Sequence, residues 1–260
     1  MAQQKNREKT AFDPLTTLDL RSFEKFKAHP LVSPLMQRYQ KDAILAECAV
    51  RTLVQDLKEL NDDFSEKLFR TAFTTIEGRV KAEQSFLLKL HQLCRESSPS
   101  RGITQESLDE IYLNIRDLAG VRFSCPYYDE VKHAIEKLVR PWLSARGHAT
   151  GLQEESGCKD KDSLDSGDDF GYRSYHFYVR VATVIDIYGT RKPVLCEVQA
   201  RTELQHIWAV KSHDLLYKPE TGWMLSDKHV AEDMRQVSNS LRAADQFLVS
   251  IRDRVIKGTA

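Results

Sequence analysis

The spacing of apolar and polar positions divides the chain into two halves of different character. Between residues 33 and 75, Ile44, Leu45, Ala49, Leu53 and Leu57 recur at three- and four-residue steps, as on one helix face. Residues 17–28 carry similar spacing, and residues 1–15 read as a polar tail. Gly78 interrupts the helical block. Residues 83–95 resume it, with Phe86, Leu87, Leu90 and Leu93 apolar. The run Ser-Ser-Pro-Ser-Arg-Gly at 97–102 is a loop by composition.

Beyond that loop the pattern changes. Leu118–Cys125 is a short β-prone run. Asp129–Val139 has Val131, Ile135 and Leu138 spaced as one helix face. Residues 146–170, rich in Gly, Ser, Asp and Lys, read as one long mobile loop, and a loop of about 25 residues inside a domain is usually functional or disordered. Ser174–Val184 and Lys192–Arg201 read as strands, and Glu203–Tyr217 and Asp227–Val255 as helices. Thr202, with Gln205 three residues on, is a capping-box signature. Helices first, then strands mixed with helices, predict an α+β fold.

Composition narrows the function classes. With 260 residues the chain can bury one substantial core, so one domain with helical extensions is expected. The 38 basic and 38 acidic residues cancel, which removes any global attraction to nucleic acid. The five cysteines form no Cys-x-x-Cys pair and are odd in number, against a disulfide framework or a zinc site. A reducing cytoplasm is the expected location. The N-terminus has no apolar signal core, and no apolar run approaches the roughly 20 residues of a membrane span.

Four clusters are candidates for chemistry. The first is Gly78-Arg79-Val80-Lys81, followed by Ser85 and Lys89. Read as one helix, Lys81, Ser85 and Lys89 share a face, and two ammonium groups with a hydroxyl suit a polyphosphate. Arg79 suits stacking on a base. The same spacing also fits a solvated amphipathic face. The second is Arg116-Asp117-Leu118-Ala119-Gly120-Val121-Arg122. An acid at the head of an apolar strand suits a magnesium ligand, or an ion pair with Arg116 or Arg122. The third is Gly171-Tyr172-Arg173-Ser174-Tyr175-His176. There Tyr172 suits a base, and Arg173 and His176 suit phosphate or ribose; an ordinary aromatic edge strand is the alternative. In the fourth, Cys196, Val198 and Ala200 point one way along a strand, while Glu197, Gln199 and Arg201 point the other. That polar face is either solvated or the floor of a site. In the latter case Glu197 joins Asp117 as a carboxylate pair for Mg²⁺.

Taken in order, GRVK, RDLAGVR, GYRSYH, EVQART and HxWAxxxHDxxYK make residues Arg79 to Lys218 resemble the synthetase domain of the RelA/SpoT family. The likeness is to its short, stand-alone form, the small alarmone synthetases and their toxin-type relatives. The resemblance implies a mixed-sheet, nucleotidyltransferase-like core over 76–218, after a tail and helices at 1–75 and before a C-terminal helix at 219–260. It implies an ATP-dependent pyrophosphokinase that uses Mg²⁺ and attacks the β-phosphorus of ATP. Asp117 and Glu197 are then the catalytic and metal-binding pair, with Glu197 also the base for the acceptor 3′-hydroxyl. Arg79, Lys81, Ser85, Lys89 and Arg122 fall on the ATP side. Lys161, Tyr172, Arg173, His176, Gln199 and Arg201 fall on the acceptor side. Trp208, His213, Tyr217 and Lys218 match the closing helix, with Trp208 read as packing.

The acceptor stays open. GDP or GTP, giving (p)ppGpp, is the family's commonest choice. However, Asp168 stands where the family's second acceptor-side lysine is expected, and an acid there repels a polyphosphate. A tRNA 3′-end, in a toxin-type member with an antitoxin partner, is one alternative. An adenine nucleotide is another. A non-catalytic binding module is a third, against which the intact Asp117/Glu197 pair speaks. His213-Asp214 lies inside the synthetase motif and implies no hydrolase. The stripe Val230, Met234, Val237, Leu241, Ala244 and Leu248 suits either a homo-oligomer through terminal helices or packing on its own domain.

Overall fold

A computed structural model describes residues 20–68, 70–97, 103–153, 155, 157–185, 191–216 and 228–258. The tail at 1–15, Tyr217 and Lys218 lie outside them. The expected α+β architecture is present: a five-stranded mixed sheet with helices around it. In chain order the elements are α1 (Phe23–Lys27), α2 (Val32–Leu68), β1 (Thr75–Val80), α3 (Glu83–Ser97), α4 (Gln105–Leu113) and β2 (Ala119–Cys125). Then come α5 (Glu130–His133), a π-helical turn (Ala134–Val139), α6 (Arg140–Ala145), β3 (Lys161–Asp162), β4 (Tyr175–Ile185), β5 (Arg191–Thr202), α7 (Glu203–Leu216) and α8 (Lys228–Gly258).

The sheet runs β1-β2-β5-β4-β3. Only β2 and β5 pair in parallel; the other neighbours are antiparallel. The alternation read in Cys196–Ala200 holds on the core side. Val121, Phe123, Phe177, Val198 and Ala200 form one buried face. Helix α2 lies across it, burying Ala49, Val50, Leu53 and Leu57. Each large apolar side chain buried here contributes about 1.5–3 kcal/mol. Ile44 leaves the expected stripe and is exposed.

The structure departs from the sequence pattern at four places. First, α2 stops at Leu68, and the chain returns as the edge strand β1. Gly78 is therefore no helix interruption. A side chain there would put its Cβ 2.3 Å from Val50 Cγ1, so the glycine lets strand and helix approach closely. Second, residues 105–113 form α4, which the sequence reading left unassigned. Thr104 caps it by accepting from Ser107 N, and Leu108, Ile111 and Tyr112 join a second apolar cluster with Phe26, Leu35 and Phe86. Third, the helix expected to end at Val139 continues through a π turn into α6, with Pro141 directly after that turn. Fourth, 146–170 is not one loop: Ala149 bridges Arg180, and Lys161–Asp162 pairs with β4. Asp160 anchors the stretch by accepting from Arg140 at 2.6 Å and from the Tyr175 hydroxyl at 2.7 Å.

Helices α7 and α8 close the structure. The capping box at Thr202 is reciprocal: Gln205 N donates to Thr202 Oγ1 at 3.2 Å, and Thr202 N donates to Gln205 Oε1 at 2.9 Å. Trp208 packs as expected, donating Nε1–H to the Met234 carbonyl at 2.8 Å. Of the α8 stripe, Val230, Met234 and Leu241 gather around Trp208, while Val237 and Leu248 are exposed.

Asp245 on α8 is buried and accepts the Thr202 hydroxyl at 2.6 Å. Burial pushes its carboxyl up to about 6 from 3.8, the Thr202 bond acts against this, and the Glu203 charge adds to it. The folded state thus holds a proton that the unfolded chain has released. The contribution of this group to stability is fully present below pH 3.8 and is lost as pH rises through about 6. Asp245→Asn keeps the acceptor and removes the charge. It should be more stable than wild type by about 1–3 kcal/mol at neutral pH, with the difference vanishing under strongly acidic conditions. Denaturant titrations at both extremes measure this.

Candidate active site

The sheet face opposite the α2 core carries the candidate chemistry. Register fixes its rows, because directly paired residues share a face. One row reads Arg79, Gly120, Glu197 and Tyr178. The next reads Glu77, Arg122, Gln199, His176 and Lys161, one residue from each strand. Two residues along β2 and β5 come Ser124 and Arg201. Five of the sequence-derived candidates on β2, β4 and β5 or beside them are thus brought to one face: Arg122, His176, Glu197, Gln199 and Arg201. Arg79 and Lys161 join from the outer strands.

A closed hydrogen-bond ring forms its centre. His176 Nδ1 and Glu197 Oε1 are 3.0 Å apart, and Gln199 Nε2 donates to Glu197 Oε2 at 2.7 Å. The Tyr172 hydroxyl meets His176 Nε2 at 3.1 Å and Gln199 Oε1 at 3.4 Å. A carboxylate only accepts, so His176 Nδ1–H donates to Glu197, while the single Tyr172 proton serves either Gln199 Oε1 or His176 Nε2. Glu197 is only 8% exposed. Burial works against its charge, but His176, the Gln199 amide and Arg79 outweigh it and hold the carboxyl below the usual range. Glu197 is therefore a carboxylate at neutral pH.

Asp117 sits just before β2, and Lys81 just after β1. The two strand ends are tied by Lys81 N donating to Leu118 O at 2.8 Å. Across them Lys81 Nζ and Asp117 Oδ2 form an ion pair at 2.6 Å. Removing one partner of such a half-buried pair strands the other, at a cost of up to about 3–5 kcal/mol. Lys81 thus precedes α3 instead of sharing its face. Ser85 and Lys89 do lie on α3, one turn apart and partly buried.

Three guanidinium groups crowd the same face. Arg79 crosses over Gly120, its Cγ and Nε 3.5 Å from where a Cβ would stand. Burial, then the Arg79 charge, pulls the Arg122 pKa down; Glu77 lies 3.9 Å from Arg122. Arg201 is 2% exposed; burial lowers its pKa first, and the charges of Arg122 and Arg79 add to this. One Arg201 nitrogen meets His206 Nδ1 at 3.0 Å, while its buried Nε has no partner among the described residues. Such a face is built to receive negative charge.

Arg173 does not join this group. It is buried against α8, bonding Ser238 Oγ at 3.2 Å, Asn239 Oδ1 at 2.8 Å and the Leu164 and Asp165 carbonyls. Gly171 makes that docking possible: its φ is +92°, and a Cβ would fall 2.7 Å from Ser238 Cβ. In GYRSYH, Gly171 and Arg173 therefore hold the loop to α8, while Tyr172 and His176 join the ring around Glu197. Asp168 is also occupied. Its Oδ1 accepts from Phe170 N at 3.0 Å and Tyr172 N at 2.8 Å, closing the turn that presents Tyr172. Glu77, Tyr178 and His206 are site-facing residues that the sequence reading missed. A period-two count from Arg79 and His176 reaches Glu77 and Tyr178, and His206 begins the closing-helix motif, but only strand pairing shows what they face.

Residues 78–222 match the family model described as the region found in RelA/SpoT proteins. No curated protein matches the chain. Among solved structures it is similar to small alarmone synthetase 1 from Bacillus subtilis bound to its product pppGpp. Identity there is 23% and the TM-score 0.66, over 84% of this chain and 98% of that one. It is also similar to small alarmone synthetase 2 from the same organism, at 18% identity and TM-score 0.62, over 83% and 99%. A GTP pyrophosphokinase family protein from Streptococcus pneumoniae matches at 21% and 0.60, over 81% and 91%. At these identities the likeness is one of fold.

The turn at Asp168 makes a direct prediction. Asp168→Ala should speed amide exchange at Phe170 and Tyr172 by about tenfold, and Asp168→Asn, which keeps the acceptor, should leave it near wild type. Hydrogen-exchange NMR reads both.

Proposed function

The chain belongs to the RelA/SpoT family, and on that premise we propose that it transfers the β,γ-pyrophosphate of ATP to the 3′-hydroxyl of GDP or GTP. The observation that carries this reading is the Glu197 ring on an arginine-rich sheet face, with the Lys81–Asp117 ion pair at the adjoining ends of β1 and β2. Arg79 and Arg122 are the groups we assign to the ATP base and ribose side, with Lys81, Ser85 and Lys89 on its phosphates. Tyr172, His176, Gln199, Arg201 and Lys161 take the acceptor. Arg173 acts on the acceptor only through the loop it anchors.

The reaction asks little covalent chemistry of the protein. The acceptor oxygen bonds to the β-phosphorus as the bond to the α–β bridging oxygen breaks, and AMP leaves. Positioning and charge neutralisation dominate such transfers. Glu197 receives the hydroxyl proton. Its low pKa keeps it ionised and ready, and His176 and Gln199 fix its two oxygens. The donor set also fits magnesium, a hard cation that takes one or two carboxylates and completes its shell with phosphate oxygens and water. Asp117 and Glu197 would hold it, and when bound it supplies charge neutralisation at the transferred group.

One observation favours a second acceptor class. The segment leading to Tyr172 carries Asp162, Asp165, Asp168 and Asp169 against Lys161 alone. Lys132 and Arg242 neutralise the first two, and both outer acids are exposed. This charge suits an acceptor without a 5′-polyphosphate, such as a tRNA 3′-end. Among the described residues no helix is long and apolar enough to cross a membrane.

Purified protein with γ-labelled ATP and Mg²⁺, offered GDP, GTP, ADP or deacylated tRNA, decides between these. Label on a guanine nucleotide is the expected outcome; label on tRNA alone replaces it with the second reading, and no transfer refutes both. Asp117→Asn and Glu197→Gln should each reduce transfer at least about 100-fold while leaving the fold intact, as circular dichroism reads it. Substantial transfer by both variants would overturn the assignment of the pair.

A further inference from the structure

One residue on the site face has no part in the chemistry above. Tyr178 on β4 stands directly opposite Glu197 on β5, in the row that continues to Gly120 and Arg79. Residues so opposed have Cβ atoms about 4.5–5.5 Å apart on the same side of the sheet. The side chain is half-buried. Glu197 and Asp117 act on its hydroxyl, as Cys158 and the Arg116 guanidinium do more weakly, so the phenol lies near both acids of the proposed pair.

Neither acid uses it. Glu197 already accepts from His176 at Oε1 and from Gln199 at Oε2, and Asp117 is paired with Lys81. Among the described residues the Tyr178 hydroxyl has no hydrogen-bond partner. A half-buried hydroxyl without a partner, beside two acids and in a row with Arg79, is placed for an oxygen that arrives with a ligand.

We propose that Tyr178 contacts the substrate during transfer, its hydroxyl donating a hydrogen bond to a non-bridging oxygen of the pyrophosphoryl group between Asp117 and Glu197. The inference rests on the pyrophosphokinase reading. An anionic oxygen brought beside two carboxylates needs donors aimed at it. A phenol supplies one without a further positive charge to compete for Glu197. The phenol forms no covalent bond and keeps its proton.

Tyr178→Phe deletes one oxygen and tests the contact. With whichever acceptor the wild type uses, kcat should fall about 100-fold, while KM for ATP and acceptor stay within about twofold and the unfolding midpoint is unchanged. A loss of packing would instead move the midpoint. A second readout needs no turnover: with 3-fluorotyrosine at position 178, the ¹⁹F resonance should shift when Mg²⁺ and a non-hydrolysable ATP analogue are added. Wild-type kcat in Tyr178→Phe, or a resonance that the analogue does not move, overturns the proposal. A wild-type protein inactive on every acceptor refutes the pyrophosphokinase reading instead, and the ¹⁹F shift still judges the contact.

Discussion

The parallel pairing of β2 with β5 is the constraint on which the rest depends. It sets Gly120 beside Glu197 and Arg122 beside Gln199. With β1 and β4 added on either side, every strand then contributes one residue to a common polar row. A slip of one residue in β5 would turn Glu197, Gln199 and Arg201 into the α2 core and put Cys196, Val198 and Ala200 in the site. Burial of the apolar face against α2 opposes that slip, so the packing that stabilises the sheet also aims its chemistry.

Charge on the opposite face is held far from balance. Burial and the Arg79 charge pull Arg122 down, and burial with the charges of Arg122 and Arg79 pulls Arg201 down, with Glu77 as a weak nearby counter-charge. Buried cations without partners are costly unless a ligand supplies the anion. The acids are arranged differently, each already bonded: Asp117 to Lys81, and Glu197 to His176 and Gln199. The bonds fix carboxylate orientation before a substrate arrives, which is the condition for electrostatic stabilisation without reorganisation.

The C-terminal helix acts on the site from outside. Arg173 and Gly171 fasten the loop before β4 to Ser238 and Asn239, and Trp208 and Asp245 tie α8 to α7 and to the end of β5. Tyr172, next to Arg173, is positioned by that docking and by the Asp168 turn. This changes how the acidic loop is understood. Asp168 has a folding task whatever its effect on an acceptor, and its substitution would disturb Tyr172 as well as charge.

Local order was legible in the sequence. Period two in residues 196–201 separated core from site, and period three to four found most of α2 and α3. The capping box at Thr202 and Gln205 began α7, and the RelA/SpoT motifs marked Asp117 and Glu197. These signals survive because each depends on residues within one or two turns, or within one strand. Partners distant in the chain were not legible. That Tyr178 opposes Glu197, that Lys81 leaves the helix face to meet Asp117, and that Arg173 turns to α8 follow from strand register and helix docking. Long-range contacts choose those, acting together over the whole fold, so residue type alone named the chemistry and tertiary structure decided which groups could reach it.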